Sequence, residues 1–214
     1  MVERDSASTV TYSLIIANAV AFVASLVVGQ AWVVTNFGAV PYLILFRMEV
    51  YRLLTSMFLH ADFLHILFNM WALFIFGRDI ELVAGRRAFA LIYLVSGLVG
   101  GIAYAVYMAW YASLFDRTAL FIPAIGASGA VFGVMGAFAV LFPTRPLAMF
   151  FYFIPIVAPA FVAIMLMGLL QTMLALVLPF SQVAYTAHVG GLAVGLVAGV
   201  VLRPLLYRRY YVIY

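Results

Sequence analysis

Two residues that could form a catalytic pair stand beside small residues in apolar parts of the chain. Ser128 lies between Gly126 and Gly129 in Gly-Ala-Ser-Gly, and His188 precedes Gly191 in Ala-His-Val-Gly-Gly. An ionisable side chain in such surroundings is costly, so His188 marks a candidate functional site. A serine hydroxyl within hydrogen-bond distance of a histidine ring is the minimal pair of nucleophile and general base. No Asp or Glu is near either residue in the sequence, so we expect a dyad.

A second histidine could assist the same reaction. His65 and Asn69 are four residues apart and therefore share one face of a helix. Both side chains can donate a hydrogen bond to a developing oxyanion, and so can the free backbone N–H groups of a helix that begins at Ser128. We expect the third histidine, His60, to be structural.

The composition is that of a polytopic membrane protein. Of the 214 residues, 68% are hydrophobic and 8% are charged, whereas soluble domains have roughly half and a quarter. The apolar runs are continuous rather than alternating, which favours helices over the strands of a membrane barrel. The net charge is +4, but the arginines flank the apolar runs, so they indicate topology rather than nucleic-acid binding. The absence of cysteine excludes a thiolate nucleophile.

The apolar runs predict six transmembrane helices in an all-α membrane protein. The predicted spans, separated by proline, glycine and charged residues, are residues 10–30, 63–83, 87–112, 127–142, 156–178 and 185–203. The first loop, 29–62, is apolar enough to be partly embedded and should contain a short helix near 50–58. We expect a single domain over residues 1–214, with a short tail at 1–9 and a basic tail at 204–214.

The alternating direction of six spans brings the polar residues together. Spans two, four and six run the same way, so Ser128, Asn69 and the two site histidines fall in the same half of the bilayer. A fourth helix of 15 residues covers only about 20 Å, so Ser128 lies about 10 Å below the surface. The glycines on spans four and six let the two backbones approach; they are Gly126, Gly129, Gly133, Gly136, Gly191, Gly195 and Gly199.

Arginine asymmetry orients the chain. With the N-terminus inside, eight arginines lie in inner segments and three in outer segments, which predicts that both termini are cytoplasmic. We expect an integral multi-pass protein of the cell membrane. The sequence does not indicate an oligomeric state.

Together these motifs resemble the rhomboid family of intramembrane serine proteases. The resemblance rests on Gly-Ala-Ser-Gly at 126–129, Ala-His-Val-Gly-Gly at 187–191 and the spacing of His60, His65 and Asn69. It covers nearly the whole chain, and the six spans, the apolar first loop and the short fourth helix also match.

Other positions match the family less closely. Tyr51-Arg52 stands where the family more often has Trp-Arg, and Glu81 with Gly85-Arg86 resembles the motif after the second span. Phe132 falls where the family often has an aromatic ring that packs on the base. The residues expected to support or pack near the site are Gly126, Gly129, Phe132, Gly191, Gly195, His60, Arg52 and Glu81.

The resemblance implies that the protein is a serine endopeptidase that hydrolyses peptide bonds in or near transmembrane segments of other membrane proteins. Ser128 would be the nucleophile, His188 the general base, and Asn69 and His65 the oxyanion donors. Its partners would be transmembrane protein substrates and the lipid bilayer, with no cofactor, no metal and no nucleic acid.

Three alternatives stay open. A catalytically silent rhomboid-like scaffold would bind membrane-protein clients, although such proteins typically lack the serine or the histidine. A small transporter would show an inverted repeat of broken helices, and none is found. A metal site built from the histidines would lack a nearby carboxylate. Taken singly, Gly-Ala-Ser-Gly is more often a helix-packing patch, and His188 could equally link two helices.

Overall fold

Helices form at each of the six predicted spans. The computed structural model describes residues 8–151, 154–178 and 183–211. Residues 1–7 of the predicted tail 1–9, residues 212–214 of the predicted tail 204–214, and residues 179–182 between the fifth and sixth predicted spans lie outside this description. In chain order the α-helices of the described residues are α1 (Thr9–Val28), α2 (Gln30–Phe37), α3 (Pro41–Phe46), α4 (Tyr51–Thr55), α5 (Phe63–Ala72), α6 (Arg78–Ala84), α7 (Arg86–Leu114), α8 (Ser128–Leu141), α9 (Ala160–Val177) and α10 (Tyr185–Tyr211).

Length and composition show which helices can cross a membrane. α1, α7, α9 and the Tyr185–Pro204 part of α10 are each at least 18 residues long and apolar. α5 and α6 form one continuous helix through the π-helical segment Leu73–Gly77. Together with α4, from which this helix bends by 96°, they are also long and apolar enough to span. α8 is apolar but has only 14 residues. Large apolar side chains such as Val27, which is 82% exposed, cover the outside of an all-α integral membrane protein.

The first loop contains more helix than the sequence predicted. α4 and the 3₁₀ turn Ser56–Phe58 lie where the short helix was expected, while α2 and α3 occupy the apolar stretch before it. Arg52 on α4 is buried and holds the loop together. Its guanidinium pairs with Glu49 at 2.6 Å and donates to the carbonyls of Thr35 and Gly38 at 2.9 and 3.1 Å. The hydrogen bond from Arg52 lowers the pKa of the Glu49 carboxyl.

A β-hairpin replaces the start of the predicted fifth span. β1 (Pro146–Phe151) pairs antiparallel with β2 (Ile154–Pro159). The predicted start at residue 156 was therefore wrong, because α9 begins at Ala160. The two prolines of β2 lack an N–H and disfavour helix at the residues before them, whereas the β-branched residues between them favour a strand. At the other end of the chain, α10 extends beyond the predicted limit of 203 and includes Pro204.

One end of the bundle is fixed by carboxylates. Glu81, near the end of α6, accepts hydrogen bonds from the backbone N–H and hydroxyl of Thr11 on α1 at 2.8 and 2.7 Å. Arg145, after α8, pairs with Asp79 at 2.6 Å. The start of α1 therefore lies at the same end of the bundle as the end of α6 and the end of α8, which is the arrangement that alternating spans require.

α8 lies at the centre of the bundle, and its residues from Gly129 to Val140 are all buried. It runs parallel to α10, and the glycines of the two helices face each other. A Cβ atom built on Gly191 would overlap the carbonyl oxygen of Gly129, and one on Gly195 would overlap that of Gly133. The backbones of spans four and six thus make the close approach that their glycines predicted.

Candidate functional site

Ser128 is the first residue of α8, at the end of an irregular segment that the first loop holds in place. Ala39 and Ala124 exchange two backbone hydrogen bonds of 2.9 and 3.0 Å, and the Gly126 N–H donates to the Ser56 carbonyl at 2.9 Å. These bonds shield the irregular backbone, which is tolerated at membrane depth only when it is buried in protein or lines a cavity.

Gly126 turns the chain into α8 with a φ of +125°, in the left-handed region that favours glycine. A side chain at this position would meet two groups: an ideal Cβ lies 2.8 Å from Nε2 of His65 and 3.6 Å from Oγ of Ser128. Nδ1 of His65 accepts a hydrogen bond of 3.4 Å from the Ala61 N–H. Since Nδ1 accepts, Nε2 carries the proton and is available as a donor next to Gly126, two residues before Ser128.

His188 reaches Ser128 from α10. Its Nε2 lies 2.7 Å from the Ser128 Oγ, and the ring is 7% exposed. The parallel packing of α8 and α10 causes this contact, because His188 precedes the first facing glycine by three residues. The Phe132 ring, one turn into α8, stacks on the imidazole with centroids 4.5 Å apart and planes 5° apart. The structure therefore brings together Ser128, His188 and Phe132.

Asn69 and His60 lie on either side of His65. The Asn69 side-chain amide is buried and donates to the His65 carbonyl at 2.8 Å, which uses one of its two N–H groups. The His60 ring meets the His65 ring edge-on, with centroids 5.0 Å apart. Neither ring nitrogen of His60 has a hydrogen-bond partner in the described chain, and burial lowers its pKa to about 4, so the ring is neutral at pH 7.

Two predicted supporting residues lie at different distances from the site. Arg52 holds Gly38, the residue before the Ala39 bridge, and so supports the loop above Ser128. Glu81 lies 16 residues after His65 on one continuous helix, or about 24 Å along its axis. Glu81 was predicted to support or pack near the site, but its carboxylate instead anchors α1 at the opposite end of the bundle.

One polar partner of the site was not predicted. Oε1 of Gln171, on α9, lies 2.8 Å from Nδ1 of His188. The sequence carries a signal for it, since Gln171 and Thr172 are the only polar side chains in α9. A glutamine in an apolar run needs a hydrogen-bond partner, but the identity of the partner depends on how α9 packs against α10.

The space next to Ser128 is narrow and lined by small side chains. A pocket beside the hydroxyl is bounded by groups such as Met57, Gly97 and Ala187. Across the described ranges, no group of three His, Cys, Asp or Glu side chains is arranged to hold a metal ion. The groups available for chemistry at Ser128 are its hydroxyl, the imidazole of His188 and the nearby His65 ring.

Comparisons with known proteins find one family model and several relatives. The model described as Rhomboid domain matches residues 47–205, which include Ser128 and His188. The chain is 34% identical over 144 residues to "Rhomboid protein 1, mitochondrial" of Saccharomyces cerevisiae, which covers 67% of this chain and 39% of that protein. It is 33% identical over 202 residues to "RHOMBOID-like protein 12, mitochondrial" of Arabidopsis thaliana, which covers 91% of this chain and 58% of that protein.

The names of further relatives differ in what they say about activity. The chain is 38% identical over 101 residues to "Rhomboid protease GluP" of Bacillus subtilis, covering 47% of this chain and 18% of that protein. Proteins named "Inactive rhomboid protein 1", from Papio anubis and Callithrix jacchus, also match, at 33% identity over 115 residues. In each case the chain spans less than two thirds of the relative's length.

Proposed function

Since the chain belongs to the rhomboid family, which includes named proteases, we propose that it is an intramembrane serine endopeptidase that hydrolyses peptide bonds in or near transmembrane segments of other membrane proteins. The observation that carries this proposal is the 2.7 Å contact between the Ser128 Oγ and the His188 Nε2. A nucleophile and a base in hydrogen-bond contact are what acyl transfer requires.

In this mechanism the Ser128 hydroxyl donates to Nε2 of His188. As Oγ attacks the substrate carbonyl carbon, its proton moves to Nε2, and the imidazolium then gives that proton to the leaving amine. The peptide bond breaks, and the acyl group stays on Ser128 as an ester. A water molecule, deprotonated by His188, hydrolyses the ester, and the proton returns to Oγ. The parallel Phe132 ring holds the imidazole plane throughout.

Three donors would stabilise the tetrahedral oxyanion. The Ser128 backbone N–H is free because it belongs to the first turn of α8. The His65 Nε2–H, next to Gly126, has no role in the bond that Nδ1 accepts from Ala61 and would be the second donor. Asn69 has a second amide N–H that its hydrogen bond to the His65 carbonyl does not use. Donors aimed at developing charge in a water-poor site contribute strongly to catalysis.

The surroundings support a substrate that crosses or enters the membrane. The narrow pocket beside Ser128, lined by Met57 and by small residues such as Gly97 and Ala187, suits a small residue at the cleaved bond. We take residues 1–214 as a single domain with both termini on one side of the membrane. A location in the cell membrane was expected, but the yeast and Arabidopsis relatives carry mitochondrial names and do not support it.

A labelling and cleavage experiment tests the function. Purified protein reconstituted with a generic single-span substrate should cleave it and should react with a fluorophosphonate probe at Ser128. Ser128→Ala should abolish both signals. His188→Ala should lower the cleavage rate by about 10²- to 10⁴-fold, the usual contribution of a general base.

Ser96→Ala is a matched control. Ser96 is a fully buried serine on α7 whose hydroxyl has no hydrogen-bond partner in the described chain, so this variant should keep wild-type activity. Equal labelling and cleavage in wild type, Ser128→Ala and His188→Ala would rule out the proposed chemistry. Client binding that is equal in wild type and Ser128→Ala, without cleavage of any substrate, would instead favour the scaffold alternative.

A further inference from the structure

The two nitrogens of His188 have different partners, and only one of them belongs to the proposed dyad. Nε2 faces the Ser128 hydroxyl at 2.7 Å, while Nδ1 faces Oε1 of Gln171 at 2.8 Å. The second contact joins α10 to α9 inside the bundle. Gln171 is half-buried, and Thr172 is the only other polar side chain of α9.

The chemistry of Ser128, His188 and Gln171 determines which of their atoms carry protons. If Ser128 Oγ–H donates to Nε2, then neutral His188 must carry its proton on Nδ1. Nδ1–H needs an acceptor, and the amide oxygen of Gln171 provides one at an ordinary hydrogen-bond distance. The acceptor therefore favours the one tautomer in which Nε2 is basic. An asparagine plays the equivalent part in the Cys-His-Asn sites of papain-like proteases.

The backbone of α9 is held on both sides of Gln171. One turn towards the C-terminus, the Ala175 carbonyl accepts a hydrogen bond of 2.8 Å from the Tyr107 hydroxyl on α7. One turn towards the N-terminus, Gly168 packs so closely on Leu192 of α10 that a Cβ atom would overlap the leucine side chain. These contacts fix the distance between α9 and His188, so the Gln171 side chain needs little ordering to reach Nδ1.

We propose that Gln171 is a positioning residue that holds His188 in the tautomer and ring orientation needed to take the proton of Ser128. This inference rests on the proposed protease function. It extends the dyad to a Ser-His-Gln series in which the third member comes from a different helix. Gln171 acts through His188, so its loss should reduce kcat and leave KM unchanged.

Three substitutions of Gln171 distinguish the effect of its acceptor oxygen on kcat from the effects of side-chain size and polarity. Gln171→Met keeps the length but removes the acceptor, and should lower kcat about fivefold to tenfold, the value of one neutral hydrogen bond. Gln171→Asn keeps an amide but shortens its reach by one methylene, and should lower kcat equally. Gln171→Glu keeps an acceptor oxygen at the same reach and should restore most of the rate. Thr172→Val is the matched control, since within the described part of the chain the Thr172 hydroxyl bonds only the Gly168 carbonyl of its own helix.

The measurements are kcat and KM for a single-span substrate, together with the apparent melting temperature of each variant. Wild-type kcat in Gln171→Met and Gln171→Asn would overturn the inference. So would an equal loss in Gln171→Glu or in Thr172→Val, because that loss would reflect the helix rather than the acceptor. Ser128→Ala, measured in parallel, tests the function itself, and cleavage by this variant would overturn the protease proposal. If Ser128→Ala is inactive but the Gln171 variants cleave at the wild-type rate, only the role of Gln171 is overturned.

Discussion

The Glu81 carboxylate illustrates how single polar residues hold this bundle together. The first N–H groups of a helix have no partner within the helix, and Thr11, in the first turn of α1, is fully buried and so cannot bond to water. Glu81 accepts from the backbone N–H groups of Val10 and Thr11 and from the Thr11 hydroxyl, at 2.9, 2.8 and 2.7 Å. The buried carboxylate thus caps α1 from a helix far away in sequence.

Glu81→Gln should therefore destabilise the protein measurably. The amide retains one acceptor oxygen for three donors, and hydrogen bonds to a charged group contribute about 1.5–3 kcal/mol each, so we expect a loss of about 2 kcal/mol. Asp79→Asn is the control, because its partly exposed pair with Arg145 should contribute at most about 1 kcal/mol. Thermal unfolding in detergent measures both variants. An equal, small shift for the two would mean that Glu81 does not cap α1.

At the level of single residues, the sequence predicted what depends on residue type. His188 stood out because an ionisable side chain is costly in an apolar run, and Ser128 was paired with it because a serine and a histidine are the minimal nucleophile and base. Gln171 has the same kind of signal, but its meaning depends on which helix it faces. The role of Glu81 was also hidden, since a cap supplied by another helix leaves no local pattern in either segment.

The pairing of α8 with α10 determines the geometry of the site at the level of helices. The Gly191 and Gly195 positions of α10 press directly on carbonyl oxygens of α8, so neither leaves room for a methyl group. The contact that closes the site, between His188 and Ser128, is set by the same register. A shift of either helix would separate the two side chains.

Gly195→Ala should separate the packing effect from helix propensity. The added methyl group meets the Gly133 backbone, which cannot move aside, and overpacking of this kind costs about 1–3 kcal/mol. Gly101→Ala, on α7, is the control: its Cβ would meet only the flexible end of Leu53, at 2.9 Å. There the gain in helix propensity, about 1 kcal/mol, should offset the contact. Melting temperatures should fall for Gly195→Ala and stay near wild type for Gly101→Ala.

The elements that sequence reasoning missed share one physical cause. The long apolar helices were predicted because hydropathy over about 20 residues is a strong signal. The β1–β2 hairpin, α2, α3 and the π-helical segment Leu73–Gly77 are shorter than that window and contain apolar residues as the spans do. Their form is decided by local prolines and by packing against neighbouring helices, so composition alone does not distinguish them from a span.

The whole molecule has two polar ends, which the prediction of six spans places on opposite sides of the membrane. Asp79, Glu81 and Arg145 lie at one end, while the first loop and the segment before α8 meet at the other end. The prediction of six spans requires that successive spans run in opposite directions between these two ends. The site then lies close to the second end.

Because the chain contains no cysteine, single cysteines can map this topology without background. Met48→Cys and Thr118→Cys should react with a membrane-impermeant maleimide from the same side of sealed vesicles, because both exposed positions lie at the site end. Thr144 is exposed at the other end. In vesicles whose site end faces outward, Thr144→Cys should react only after permeabilisation. In vesicles of the opposite orientation, Thr144→Cys should react first, and Met48→Cys and Thr118→Cys only after permeabilisation. Labelling of all three from one side would contradict the alternating spans.

The contact between Ser128 and His188 joins positions 60 residues apart, and it also sets when the site can exist. α10 is synthesised after every other helix that the structure describes. Until it leaves the ribosome and inserts beside α8, the Ser128 hydroxyl has no base and the glycine face of α8 has no partner. Under the proposed function, a nascent chain that already contains Ser128 is therefore inert, and hydrolytic competence arises only when the last of these helices is inserted.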